Sequence, residues 1–391
     1  MLPYADLPYF TLLVIVTLPA VLLGLAERSR RPWILAASGL MAVVHFGLSS
    51  SSGPGLAVRD LWIAAGFALG QLLLALGFVR LRRRTGSRWI FAAVVALGLA
   101  PLLLAKLLPV VQPGSRWGFL GLSFVTFRAL DVLVAIQDRL LAGIGPSTYL
   151  AYLFFFPTVS SGPIDRYRRF SQELEAAPAP PRAEYLRALD HGVHRIFTGL
   201  LYKFLLAALI KKYWLDPVAT QYGWKSVASY TYAYSFYLFF DFAGYSAIAV
   251  GVSHFFGVRT PENFDRPFLA KNIVEFWNRW HMSLSTWFRD HVYMRFVLAA
   301  TKGRWFPGRY LASYLGFLLT FLLMGAWHGL QGNYLLYGLY HACLFIGHSV
   351  VTRWTRRWPG LQGSRWWRLS GITATFNAVC LGFLIFSGRL G

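Results

Sequence analysis

Apolar runs of about 20 residues alternate with short charged loops along most of this chain, the spacing that membrane-crossing helices require. The first four runs are Leu7 to Ala26, Trp33 to Leu48, Leu61 to Val79 and Trp89 to Leu108. They are followed in turn by the loops ERSRRP, SSSSGPG, RLRRRTGSR and PVVQPGS. Arg clusters follow the first and third runs, while the other two loops are nearly free of positive charge. The positive-inside rule then predicts an N-terminus outside and Arg-rich loops in the cytoplasm. Asp6 precedes the first run and no Lys or Arg does, so a retained first helix is expected rather than a cleaved secretory signal.

The pattern changes after Ser115. The run FLGLSFVTFRALDVLVAI carries Arg128 and Asp131, which share one face of a helix and are expected to pair. The next run, YLAYLFFFPTVSSGPIDRYRRF, is broken by Pro157 and by Ser-Ser-Gly-Pro at 160–163. Such a break predicts a re-entrant or half-spanning element, tolerated at membrane depth only inside protein or beside a wet cavity. Ser171 to Arg187, with APAPP at 177–181, predicts a cytoplasmic linker. Further spans are expected at His191 to Ile210, in the aromatic run around Asp241, and at Tyr310 to Trp327, Tyr334 to Val351 and Gly371 to Ser387. The fold class is therefore an all-α polytopic membrane protein of about ten or eleven transmembrane helices plus re-entrant pieces. One integral-membrane domain is expected over 1–391: peripheral spans in 1–110, a core in 115–350, and a basic loop with the last span in 351–391.

Composition supports this reading. Hydrophobic residues make up 56% and charged residues 14%, and 32 Phe, 20 Tyr and 15 Trp suffice for aromatic belts at both interfaces. The net charge of +22 lies in short clusters between apolar runs, with no basic soluble face for nucleic acid. It suits anionic lipid or an acidic soluble partner instead. Cys343 and Cys380 sit in apolar runs and are expected to be free buried thiols.

Walker A, GxSxG and HExxH signatures are absent, so ATP hydrolysis, serine-hydrolase and zincin chemistry lack support. His191 and His194 have no further ligand nearby; interfacial histidines are expected, and no metal site. Two other histidines stand out. His281 lies in EFWNRWHMSLSTWFRDHVYMRF, and His328, 47 positions later, closes YLASYLGFLLTFLLMGAWHGL. An imidazole can take a proton from a hydroxyl and return one to a leaving group, and acyl transfer from an activated thioester needs little more than that and oxyanion donors. Spacing alone leaves open that both merely cap helices or bond carbonyls.

FWNRWHMSLSTWFRDHVYMRF followed by MGAWHGLQGNYLLYGLYH resembles the signature of the membrane-bound O-acyltransferase (MBOAT) family. The resemblance carries the catalytic histidine onto His328 and a second histidine onto His281. LGLSFVTFRALDVL and FFFPTVSSGPIDRYRRF resemble the D-alanyl-transfer branch of that family. The specific motifs lie within about 115–350, with only hydropathy in common outside. The family implies a ring of helices around a central funnel, with a narrow passage on the cytoplasmic side for the phosphopantetheine arm of an acyl-carrier protein.

On this resemblance the partners are an acidic cytoplasmic D-alanyl carrier protein, other membrane proteins of the pathway and an envelope acceptor. No cofactor is bound; the donor is the carrier's phosphopantetheine thioester. The acceptor is teichoic acid, another envelope polymer or a small relay protein. A chain of 31 Arg and 7 Lys suggests a GC-rich genome, which keeps these acceptors open. Carrier docking is expected at Met294, Val297 and Leu298. Ser283, Arg289, Asp290, Asp241, Arg128 and Asp131 are the polar candidates for a tunnel or for structural pairing. His281 is expected to orient the thioester, to donate to the oxyanion or to protonate the thiolate. The expected location is a bacterial cytoplasmic membrane. Polysaccharide O-acetylation by the same histidines, and transport without acyl transfer, are the alternatives.

Overall fold

A computed structural model describes residues 3–48, 54–115, 117–175, 180–308, 310–357, 360 and 364–390. Among these residues the secondary structure is helical, with one isolated β-bridge between Phe264 and Trp280. Eight helices among the described residues are long and apolar enough to cross a membrane: Leu7–Leu25, Val58–Arg84, Arg88–Val111, Arg182–Ala219, Trp224–Phe255, Leu311–His328, Gly332–Thr355 and Arg365–Phe386. Their outward faces are apolar, as at Val14, Ile15, Trp89 and Val111, which suits lipid rather than water. The protein is a multi-pass membrane protein, and every expected span falls on a helix. Two of them are shorter than a full crossing. The second is Arg31–Val43, continued by a π-helical turn at Val44–Leu48, and the fifth is the 16-residue Leu122–Gln137. The Ser-rich stretch at 49–53 lies outside the described residues, as do Arg116, 176–179 of the Pro-rich linker, Arg309, and 358–359 and 361–363 of the last basic loop.

The chain packs as two compact units. The first comprises Met1–Gly199 and Tyr245–Pro261, the second Leu200–Gly244 and Glu262–Gly391. Leu122–Gln137 runs through the first unit and is buried on nearly every side. Beside it the chain breaks as its prolines predict. Pro146–Leu153 is an eight-residue helix, a 3-10 turn follows at Phe156–Thr158, and regular helix resumes at Tyr167–Glu175. The broken stretch is buried at Phe155, Phe156, Val159 and Ile164. Its backbone oxygens need donors, and Arg128 supplies them.

This corrects the expected Arg128–Asp131 pair. The buried Arg128 guanidinium donates to the carbonyl oxygens of Tyr152 at 3.0 Å, Leu153 at 3.1 Å and Thr158 at 2.8 Å. Asp131 accepts from Arg166 at 2.7 Å and from the Tyr167 backbone N–H at 3.2 Å. A shared helix face allowed the pair, but carbonyls orphaned by the break made the stronger claim on a five-donor side chain. The linker expectation is also corrected at its ends, because Tyr167–Glu175 and Arg182–Leu200 are helical. Asp241 is only partly buried and has a structural partner: Lys203 Nζ donates to it at 2.6 Å. Both cysteines are free, but Cys343 is exposed and only Cys380 is buried.

Candidate active site

Both motif histidines belong to the second unit. His281 sits at the start of a helix that runs from Met282–Phe288 through a π-helical segment, Arg289–Tyr293, into Met294–Lys302. It holds a left-handed backbone conformation (φ 43°, ψ 52°), uncommon for a residue with a Cβ. The surroundings over-determine that conformation. Met282 N–H donates to the Asn263 carbonyl at 2.9 Å. Asn263 Oδ1 accepts from the Ser283 backbone at 3.2 Å and from the Ser283 hydroxyl at 2.6 Å. Asn263 thus caps a helix entered from a kinked residue, and neither of its backbone neighbours in the motif can shift alone.

Aromatic packing fixes the imidazole. Phe242 meets the His281 ring edge-on at 4.7 Å, and the preceding Trp280 is packed against Phe264 at 5.0 Å and Phe383 at 4.8 Å. His281 is buried, and burial, with the nearby His328 imidazole as the lesser cause, pushes its pKa down to about 3. It is therefore a neutral imidazole at physiological pH, able to donate a hydrogen bond without carrying charge.

His328 is the last residue of the helix Leu311–His328, and its ring is exposed. A three-residue turn leads into Gly332–Thr355, which returns alongside. The two helices approach so closely at Gly325 that an added Cβ would collide with the Tyr334 carbonyl oxygen. The His328 ring lies against Phe386 at 4.8 Å, edge-on, and near Tyr334 at 6.1 Å. Asn333 Nδ2 donates to the Phe386 carbonyl at 2.9 Å and ties the last span to this hairpin. One imidazole is thus buried and neutral, and the other is exposed. This pair can serve a reaction needing an uncharged hydrogen-bond donor beside a proton acceptor.

Sequence reasoning missed several members of this cluster. His341 lies fully buried one helix away and accepts from Trp277 Nε1 through its Nδ1 at 3.3 Å. Tyr337 stacks edge-on with His341 at 4.5 Å and stands 6.5 Å from the His328 ring. The signal was present in LYGLYH, where Tyr337 and His341 are four apart on the helix that follows His328. Asn263 had no such signal, since its partner Ser283 is 20 positions away.

The other candidates are dispersed. Ser283 is buried in its cap, while Arg289 pairs with the adjacent Asp290 at 2.9 Å on the surface. Met294 and Leu298 are exposed on one helix face, but Val297 turns inward toward Gly316. Arg128 and Asp131 belong to the first unit, and Asp241 is held by Lys203. No cluster of three metal-ligating side chains occurs among the described residues.

Residues 111–387 match the membrane-bound O-acyltransferase family. The chain belongs to this family. It is an acyltransferase embedded in the membrane, and the family match contains both histidines and all the candidate residues discussed above. Similarity to individual relatives extends further. The chain is 40% identical to a teichoic acid D-alanyltransferase of Bacillus subtilis over 100% of its own length and 98% of that protein. It is 37% identical to the protein of the same name from Lacticaseibacillus rhamnosus, over 99% and 97% of the two chains. A probable alginate O-acetylase of Pseudomonas syringae pv. tomato is 30% identical over 75% of this chain and 52% of that protein. Likeness to the D-alanyltransferases thus includes the first 110 and last 40 residues, where motif reading found only shared hydropathy.

Proposed function

We propose that this protein transfers D-alanine from a carrier-protein thioester to a hydroxyl of an envelope acceptor, teichoic acid or a relay protein that serves it. The observation that carries the reading is end-to-end similarity to teichoic acid D-alanyltransferases, at 40% and 37% identity, against partial coverage of the alginate O-acetylases. The protein sits in a bacterial cytoplasmic membrane with its N-terminus outside and its Arg-rich loops facing the carrier.

In this reading the accessible His328 takes the proton from the acceptor hydroxyl. The oxygen attacks the thioester carbonyl, a C–O bond forms and the C–S bond breaks. The thiolate leaves on the carrier arm and takes the proton that His328 holds, which returns the imidazole to its starting form. His281, buried and neutral, donates a hydrogen bond to the carbonyl oxygen as negative charge develops there. No metal is needed, because a thioester is already an activated acyl donor.

The test is donor dependence. Purified protein in lipid nanodiscs receives radiolabelled D-alanyl carrier, with acetyl-CoA and acetyl carrier in parallel. Thioester consumption and label in a membrane acceptor are followed together. Turnover of the D-alanyl carrier, abolished in His328→Ala, supports the reading. Turnover of the acetyl donors alone replaces it with O-acetylation, and histidine-independent substrate movement replaces it with transport.

A further inference from the structure

We propose that the groove between the end of the helix Gly332–Thr355 and the start of Arg365–Phe386 binds the headgroup of one anionic glycerophospholipid. A cavity of about 960 Å³ opens there. Lys271, Arg365 and Arg368 line it, and no Asp or Glu does. All three side chains are exposed, and none forms an ion pair among the described residues. Glu275 accepts from the Lys271 backbone N–H at 3.0 Å, but its charge is paired with Arg279 at 2.6 Å, so the three cations repel one another and an anion offsets that cost.

The sequence deepens the imbalance. From His291 to Gly391 there are ten Lys and Arg and no Asp or Glu, so this end of the chain has no acid of its own to offer. Lys271 is brought in from elsewhere. Its carbonyl oxygen lies so near Gly371 that an added Cβ would sit 2.6 Å away, which packs the segment against the last span. Two cations come from one helix start and the third from this neighbouring segment.

The rest of the lining identifies the ligand class. Leu344, Val351 and Ala378 form an apolar wall along the two spans, where an acyl chain can lie. Hydroxyls of Thr352 and Ser370 stand among the cations, as phosphate oxygens require. Trp367, 37% exposed, lines the groove and the adjacent Trp366 is 79% exposed, which marks the groove as lying at headgroup level. A cavity of this size far exceeds a free phosphate. An acidic protein would use the charges but leave the apolar wall uncovered. A phosphodiester bearing acyl chains uses both.

The experiment is native mass spectrometry of the full chain released from nanodiscs that contain phosphatidylglycerol and phosphatidylcholine. The variants are Arg365→Gln/Arg368→Gln and Arg356→Gln/Arg357→Gln. The second pair removes the same charge from the same loop at positions that do not line the groove. Retention of one phosphatidylglycerol is expected to weaken roughly 30-fold in the first variant only, from about two membrane-proximal charges. Arg365→Lys/Arg368→Lys is expected to retain most of the binding, which separates charge from misfolding. Equal loss in both Gln variants, or in neither, overturns the site. So does displacement of the lipid by millimolar inorganic phosphate, which makes this a phosphate site. A raised KM for the carrier-bound donor with unchanged lipid retention overturns it in favour of acidic-protein docking.

Discussion

The two imidazoles make different demands, and each gives a prediction at the scale of one side chain. Removing a general base typically lowers rate about 10²–10⁴-fold, so His328→Ala is expected to lose that much D-alanyl transfer at an unchanged thermal midpoint. Full activity in a folded variant would end the assignment. His281 gives a pH dependence. Its folded pKa is pushed down to about 3 from an ordinary value near 6.5, so the unfolded chain binds the proton more readily. The stability it contributes is fully present above pH ~6.5 and falls by about 1.4 kcal/mol per pH unit on acidification toward pH ~3. Thermal midpoints of the wild type are expected to drop between neutral and mildly acidic pH more steeply than those of His281→Gln. Arg128 belongs at this scale too. Arg128→Met strips the donor from three buried carbonyls and is expected to destabilise the protein by about 3–5 kcal/mol, with Arg128→Lys between the two. Denaturation in detergent monitored by tryptophan fluorescence checks the order of the three.

Among elements, the decisive one is the hairpin of Leu311–His328 and Gly332–Thr355. Its close approach at Gly325 places His328 against Phe386 and Tyr334. Gly325→Ala overpacks that contact, which typically costs about 1–3 kcal/mol. Activity is expected to fall by more than the stability loss explains, because the strain tilts the helix that ends in His328, the proposed general base. Comparing kcat at a temperature well below both midpoints separates the two effects. The broken segment after Pro146–Leu153 shows the same logic in reverse. Prolines predicted the break, but its survival depends on a guanidinium from a neighbouring helix.

For the whole molecule, charge is the governing quantity. If the donor is the proposed acidic carrier, a net charge of +22 speeds its encounter over distances that salt screens within about 8 Å at physiological ionic strength. Raising salt is therefore expected to lower kcat/KM for the carrier-bound donor while leaving kcat nearly unchanged. A salt-independent kcat/KM would mean that docking is driven by apolar contact alone, for example at Met294 and Leu298.

Spans, the break at Pro157, and the two histidine motifs were legible in the sequence, because each rests on local chemistry: apolar length, proline geometry, and side chains close together along the chain. Pairing was not legible. Arg128 and Asp131 share a helix face, yet their partners lie 24–36 positions away. Val297 was indistinguishable from Met294 and Leu298 until a neighbouring helix covered it at Gly316. Asn263, Tyr337 and His341 entered the site only when separate segments met. The sequence by itself determined a membrane-embedded, helical acyltransferase and singled out two imidazoles as candidates for its chemistry. The tertiary structure alone decided which imidazole is buried and which is exposed, because burial is a property of what packs around a residue and not of its neighbours in the chain.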